Sequence, residues 1–123
     1  MAPRPPAVPG DEREHEMDEA LRALAEPRRR AILRLVAQSE LAAGEIAGFF
    51  EVTRTAVSQH LTVLKNAGLL TERRVATRRL YRARPEGLAD LRQFLDQMWA
   101  SSLELARDLV EADRAAGPTS AAG

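Results

Sequence analysis

The chain is 123 residues long and contains 18 basic and 18 acidic residues, so its formal net charge is zero. This length suits one folded domain with a single hydrophobic core. The absence of cysteine excludes disulfides, thiolate metal ligands and a cysteine nucleophile. No apolar run is as long as a membrane span, and the first residues lack the hydrophobic segment of a signal peptide. We therefore expect a cytoplasmic protein without a membrane partner.

The neutral total hides an uneven distribution of charge along the sequence. Residues 27–84 carry eleven arginines and one lysine against four glutamates, a net charge of +8. Residues 1–26 and 85–123 each carry three arginines against seven acidic residues, a net charge of −4. A basic middle between acidic ends indicates one surface that meets a polyanion. Seventeen of the eighteen basic residues are arginine, which forms bidentate contacts with phosphate and guanine.

The N-terminal part of the sequence predicts a tail followed by two helices. Residues 1–10 hold four of the seven prolines and almost nothing apolar, so we expect a disordered tail there. From Asp11 onward the first helix is predicted by apolar residues at helical spacing, namely Met17, Leu21 and Leu24. Pro27 favours the start of a second helix, which is predicted to extend to Gln38.

The next segment predicts two short helices joined by a turn. The first is expected over Ala43–Phe49, and the second has Thr53 as its N-cap and Gly68 just beyond its C-terminus. One face of the second helix is apolar, formed by Ala56, Val57, Leu61 and Leu64. Its other faces carry hydrogen-bonding side chains, which are Arg54, Thr55, Ser58, Gln59, His60, Thr62 and Lys65. This arrangement is typical of a helix-turn-helix unit whose second helix recognises DNA.

A basic β-hairpin is predicted directly after this helix. Residues 69–75 and 79–84 are partly alternating stretches separated by Ala76-Thr77-Arg78. The tip of the hairpin is strongly cationic, with Arg73, Arg74, Arg78 and Arg79. These arginines could be a solvated charge run, but their position after a recognition helix favours a wing that contacts phosphate or the minor groove.

A long last helix is predicted from about Glu86 to Ala112. Its apolar residues recur alternately three and four apart and include Leu88, Leu91, Leu95, Met98, Leu105 and Leu109. A helix of about 26 residues is about 40 Å long, more than a core this small can cover. The uncovered remainder predicts a partner helix, most simply from a second copy in a two-fold dimer. We expect residues 11–112 to form the folded domain and residues 113–123 a disordered tail.

Four segments carry a resemblance to a known family. They are L-A-E-P-R-R-R-A-I-L-R-L-V at 24–36, G-E-I-A at 44–47, V-T-R-T-A-V-S-Q-H-L-T-V-L-K-N-A-G-L-L at 52–70 and R-R-V-A-T-R-R-L-Y-R at 73–82. Over about residues 17–112 the chain resembles the ArsR-type (ArsR/SmtB) winged-helix repressors of bacteria. The Met-Trp at 98–99 and the leucine-rich helix after it are most similar to the autorepressor branch, which lacks a known metal site.

The resemblance implies a mainly α winged helix-turn-helix fold, with about five helices and a two-stranded hairpin wing. It also implies a homodimer paired through the first and last helices, which binds a palindromic operator in double-stranded DNA and represses transcription. It identifies no effector. The residues that we expect to form the dimer contacts are Met17, Leu21, Leu91, Leu95, Met98, Trp99 and Leu105.

We divide the expected DNA contacts into two classes. Residues expected to reach base edges in the major groove are Thr55, Ser58, Gln59 and His60. Residues of the helix expected on or near phosphates are Thr53, Arg54, Thr62 and Lys65. The expected wing contacts are Arg73, Arg74, Thr77, Arg78 and Arg79.

No cofactor is expected, although one metal hypothesis remains open. The cysteine pair of the family's metal sensors is absent, and residues 86–112 contain no histidine. An alternative site for a regulatory Ni²⁺, Zn²⁺ or Mn²⁺ ion lies on one face of the first helix, formed by Asp11, His15, Asp18 and Glu19. The competing interpretation is a solvated acidic helix start, which the helix dipole favours.

Two other classes of function are disfavoured by the sequence. An enzyme is excluded by the lack of a glycine-rich phosphate loop, a Ser-His-Asp set with plausible partners, or paired carboxylates in an apolar setting. A pure dimerisation or scaffold protein would not need the basic middle of the chain.

Overall fold

The computed structural model describes the backbone of residues 11–121 and the side chains of residue 15 and residues 17–116. The predicted tail at residues 1–10 lies outside this part. Within it, the helices and strands are α1 (Asp11–Leu24), α2 (Pro27–Gln38), β1 (Leu41–Ala42), α3 (Ala43–Ala47), α4 (Arg54–Asn66), β2 (Leu70–Val75), β3 (Arg78–Ala83) and α5 (Pro85–Ala121). A search of the described residues finds no helix that is both long and apolar enough to cross a membrane.

The chain forms two compact units, which divide after Leu91. The first unit contains α1 to α4, all three strands and the first turns of α5. The second unit consists of the rest of α5. The order of the helices and strands confirms the mainly α winged helix-turn-helix architecture predicted from the sequence.

The core of the first unit surrounds α4. Its apolar face packs against α2 and α3, and α1 also contacts α4. The largest side chains with almost no exposure are Ile32, Val36, Ile46, Val57, Leu61, Leu64 and Leu69. Burying one aliphatic side chain of this size contributes about 1.5–3 kcal/mol relative to leaving it exposed. This packing fixes which face of α4 remains in solvent.

Side-chain caps set the helix starts at the predicted positions. The Thr53 hydroxyl accepts a hydrogen bond from the Ala56 N–H at 3.1 Å and caps α4. The Glu26 carboxylate accepts one from the Arg29 N–H at 2.9 Å and caps α2, and this bond lowers the pKa of Glu26. After α4, Gly68 has a φ of 75°, the left-handed conformation expected of it.

The wing is a hairpin with a tighter turn than predicted. Val75 pairs with Arg78, so the turn consists of Ala76 and Thr77 alone, and Ala76 has a φ of 56°. The prediction placed Arg78 in the turn, and it belongs to β3 instead. A two-residue hairpin turn matches the twist of the strands when its first residue adopts a positive φ, as in a type II′ turn, which explains the unusual conformation of an alanine here.

The sheet has three strands in the order β1-β3-β2, one more than the two-stranded hairpin predicted. Strand β1 is antiparallel to β3, with Leu41 opposite Tyr81 and Ala42 opposite Leu80. A strand of two residues has no periodicity to detect, so the sequence pattern missed it.

Two helix ends differ from the predictions. Helix α3 ends at Ala47 and not at Phe49, because the next residues form tighter i→i−3 hydrogen bonds, from the Phe49 N–H to the Ile46 carbonyl and from the Phe50 N–H to the Ala47 carbonyl. Helix α5 continues to Ala121 and does not end near Ala112. Alanines at positions 112, 115 and 116 favour this continuation. Residues 113–121 therefore extend α5, and the division into a folded domain and a C-terminal tail stays a prediction.

The substitution Gly87→Ala tests the approach of α5 to the end of α4. A Cβ at Gly87 would lie 2.0 Å from the carbonyl oxygen of Gly68, so the backbone must move. We expect the free energy of unfolding to fall by about 1–3 kcal/mol in chemical denaturation at fixed protein concentration. Gly44→Ala is the control, because its Cβ would meet nothing closer than 3.9 Å. Equal stability of the two variants would contradict this close approach.

Candidate nucleic-acid interface

The exposed face of α4 carries polar side chains that are free of carboxylates. Successive residues of a helix are about 100° apart, so Thr55, Gln59 and Thr62 lie opposite the buried Val57 and Leu61. All three are exposed, as is Ser58 beside them. The Thr62 hydroxyl donates a hydrogen bond to the Ser58 carbonyl at 3.0 Å, which orients it along the helix. Amide and hydroxyl groups on one helix face are suited to base edges in the major groove.

His60 does not share this face. It lies on the flank of α4 and is half-buried. The hydrogen bond from the Arg29 N–H is the main cause of the lowered pKa of Glu26, and the charge of His60 contributes to it. The geometry of the helix thus places His60 apart from Thr55, Gln59 and Thr62.

Three glutamates of the basic middle pair with cations of the wing and of α4. Arg73 donates two hydrogen bonds to Glu40, one of them from Nε to Oε2 at 3.0 Å. This bond is the main cause of a lowered pKa of Glu40 and a raised pKa of Arg73. Arg78 pairs with Glu45. Glu72 lies 3.3 Å from Lys65 Nζ and 3.6 Å from Arg79 Nε, so it links α4 to β3.

The predicted DNA-binding cations therefore form two classes. Lys65, Arg73, Arg78 and Arg79 are each matched by a carboxylate. Arg54 and Arg74 are exposed and have no ion pair among the described residues. Sequence reasoning did not separate these classes, because the partners are distant in sequence.

A groove of about 670 Å³ lies between α3, the N-terminus of α4 and the tip of the wing. Its polar side chains include Glu45, Arg54, Ser58, Thr77, Arg78 and Arg79. Five of these six were predicted to contact DNA, and the fold brings them together from two separate segments. Tyr81 also lines the groove, and burial raises the pKa of its phenol. The sixth residue, Glu45, was not predicted as part of the site.

Comparison with known proteins identifies the family. The family model described as bacterial regulatory protein, arsR family, matches residues 26–72. HTH-type transcriptional regulator Rv2034 of Mycobacterium tuberculosis is 46% identical over 96 residues, which cover 78% of this chain and 90% of that protein. The chain belongs to the ArsR family of bacterial regulatory proteins. It is accordingly a winged helix-turn-helix, DNA-binding transcriptional regulator.

Two further relatives extend the comparison. Transcriptional repressor SdpR of Bacillus subtilis is 34% identical over 58 residues, which cover 47% of this chain and 64% of that protein. The solution structure of a homodimeric winged helix-turn-helix DNA-binding domain (fragment 1–100) is also similar. It comes from a possible ArsR-family regulator of Mycobacterium bovis and has a TM-score of 0.61 and 34% identity, covering 82% of this chain and 91% of that chain.

The metal hypothesis for this ArsR-family protein stays a prediction. His15 Nδ1 lies 3.7 Å from Asp18 Oδ2, as the helical spacing predicts. Among the side chains that the structure describes, no three potential metal ligands are grouped together. Asp11, one of the four candidate ligands, lies outside that set.

The residues predicted to form dimer contacts differ in exposure. Trp99 is 64% exposed and Leu95 39%, and Leu21, Met98 and Leu105 are also exposed. Met17 is half-buried. Leu91 is only 5% exposed, so its side chain is largely covered within one chain, and its role as a dimer contact stays a prediction.

The substitution Arg74→Gln tests whether an unpaired wing arginine contacts phosphate. Each phosphate neutralised contributes about 0.9 to the slope of log affinity against log salt, so the variant should lower this slope by about one. Arg92→Gln removes the same charge from the acidic C-terminal third of the sequence and should leave the slope unchanged. A titration of a fluorescent duplex at several salt concentrations measures both. An unchanged slope for Arg74→Gln would exclude the contact.

Proposed function

We propose that this ArsR-family protein is a homodimeric repressor that binds a palindromic operator, including one in its own promoter. The observation that supports the proposal best is the polar, carboxylate-free face of α4 beside a groove lined by Arg54, Arg78 and Arg79. A helix face that can contact bases, next to cations that can contact phosphates, supplies both parts of sequence-specific DNA recognition.

Individual roles follow from the positions of the side chains. Thr55, Ser58 and Gln59 contact base edges from the exposed face of α4. Arg54 and Arg74 contact phosphates, because no carboxylate among the described residues competes for them. His60, half-buried on the flank of α4, stays a candidate for either a DNA contact or a structural role.

The substitution Gln59→Ala tests the base-reading face. Losing a bidentate amide contact should weaken binding to the operator by about 1–3 kcal/mol and relax the preference at one base pair. Fluorescence anisotropy of chelator-treated protein, titrated onto its own upstream region and onto a scrambled duplex, measures this. Gln38→Ala removes an exposed amide from the end of α2 and is the control. An equal loss on both duplexes would reassign Gln59 to the DNA backbone.

The homodimer is supported by the apolar side chains that α5 leaves in solvent. In the second unit these include Leu95, Met98, Trp99, Leu103 and Leu109. Contiguous exposed apolar surface of this kind marks an interaction site. A second copy offers the same stripe, so a two-fold axis allows the two faces to cover each other. The two copies of α4 would then enter successive major grooves, about 34 Å apart.

The substitution Leu95→Asp should dissociate the dimer and weaken operator binding, because a carboxylate in an apolar interface cannot be solvated. Sedimentation equilibrium and anisotropy on the same samples measure the two effects. Gln93→Asp adds the same charge on the opposite side of α5 and should change neither. A monomeric Leu95→Asp variant that binds the operator as tightly as the wild type would contradict the dimeric model.

The sign of regulation is tested with a reporter gene under the protein's own promoter. Repression predicts higher transcription when the protein is absent, and lower transcription would show activation instead. Removing divalent metal with a chelator during the binding assay distinguishes a regulator that binds DNA alone from one that requires a metal.

A further inference from the structure

Glu45 connects the start of α3 to the tip of the wing. Its Oε1 accepts a hydrogen bond from the Ala42 N–H at 3.0 Å, which is the backward half of a capping box. The same oxygen accepts a hydrogen bond from Nη2 of Arg78, at the first position of β3. The carboxylate is therefore held in place by the backbone of one element while it neutralises a cation of another.

The position of this ion pair gives it a second consequence. Glu45 and Arg78 line the groove that also contains Arg54, Ser58 and Arg79. Under the proposed function, this is where a DNA strand passes between α4 and the wing. An arginine binds a carboxylate and a phosphate through the same planar set of donors. Glu45 and a DNA phosphate therefore compete for Arg78.

The pair contributes little to the stability of the fold. The side chains of Arg78 and Glu45 are 58% and 48% exposed, so water and salt screen their attraction. The hairpin is already fixed by the pairing of β2 with β3. This ladder runs from the pair formed by Leu70 and Ala83 to the pair formed by Val75 and Arg78. The effect of the pair should therefore appear mainly in DNA binding.

We propose that Glu45 withholds Arg78 from DNA in non-specific complexes and releases it only to a phosphate of the operator. Non-specific affinity depends on the number of phosphates that the protein neutralises, so one withheld arginine lowers it. On the operator, base contacts by α4 place a phosphate in the groove, where it displaces the carboxylate. Glu45 is thus a specificity-determining residue, and this inference rests on the DNA interface assigned under the proposed function.

The decisive experiment compares Glu45→Gln with Glu51→Gln. Both remove one negative charge from the basic middle of the chain, but Glu51 has no ion pair among the described residues. Glutamine at position 45 can still accept the hydrogen bond from Ala42. Each variant is titrated against a scrambled duplex of about 30 base pairs, three turns of DNA, and against a duplex that the wild type selects from a randomised library.

We expect Glu45→Gln to bind the scrambled duplex about fivefold more tightly at about 0.1 M salt, with a slope steeper by about one. Its affinity for the selected duplex should rise less, so the ratio of the affinity for the selected duplex to that for the scrambled duplex falls. Glu51→Gln should change either affinity by less than about twofold, because salt screens an unpaired surface charge. The double variant Glu45→Gln, Arg78→Gln should lose the gain on the scrambled duplex and bind the selected duplex more weakly than wild type.

Two results would overturn parts of the model separately. If the wild type selects a duplex but Glu45→Gln behaves like Glu51→Gln, Glu45 does not control Arg78, and the DNA interface stands. If the wild type selects no sequence, the proposed function fails and the inference fails with it.

A measurement without any substitution guards against a folding defect in the variants. The side-chain N–H signals of Arg78 in wild-type nuclear magnetic resonance spectra should stay unchanged with the scrambled duplex. They should shift when the selected duplex is added. A shift of equal size with both duplexes would overturn the inference.

Discussion

The packing of α4 against α2 and α3 is the constraint on which the DNA interface depends. Val57, Leu61 and Leu64 are fully or almost fully buried, and they occupy one side of a helix of only 13 residues. Turning α4 by one residue, about 100°, would expose part of this stripe and move Gln59 towards the core. Because burial of the stripe contributes several kcal/mol, the face presented to DNA is decided by apolar contacts. The polar side chains proposed to contact bases have no part in fixing their own direction.

A second layer of control comes from carboxylates within a basic surface. The sequence shows a net charge of +8 in residues 27–84, which alone would favour tight binding to any DNA. In the structure, Glu40, Glu45 and Glu72 neutralise cations of the wing and of α4. Specificity is the difference between the affinity for the operator and the affinity for other DNA. It rises when the affinity for other DNA is lowered. Under the mechanism proposed for Glu45, internal ion pairs at the interface would lower non-specific binding without removing any arginine.

The elements of the fold could be predicted where a local pattern is strong. Thr53 is a typical N-cap, Gly68 has the residue type that tolerates positive φ, and the apolar spacing of α4 identifies its buried side. These signals lie within a few residues of the feature they predict, so the sequence contains them directly. The exposed polar residues of α4 were also predicted, because a helix with a known buried side has a known exposed side. His60 is only half-buried on the flank of α4, so the pattern of the helix alone does not decide between a DNA contact and a structural role.

The features that could not be predicted have one physical origin. Strand β1 has two residues, too few for a pattern, yet its pairing with β3 brings residues 40–45 alongside the wing. Glu40 then meets Arg73 and Glu45 meets Arg78, and both pairs join residues 33 positions apart. A glutamate distant in sequence gives no sign that it will meet an arginine, since the contact exists only after the strands have paired. Local pattern therefore suffices to place α4, the helix proposed to contact bases, whereas the net charge of the wing surface depends on tertiary pairing.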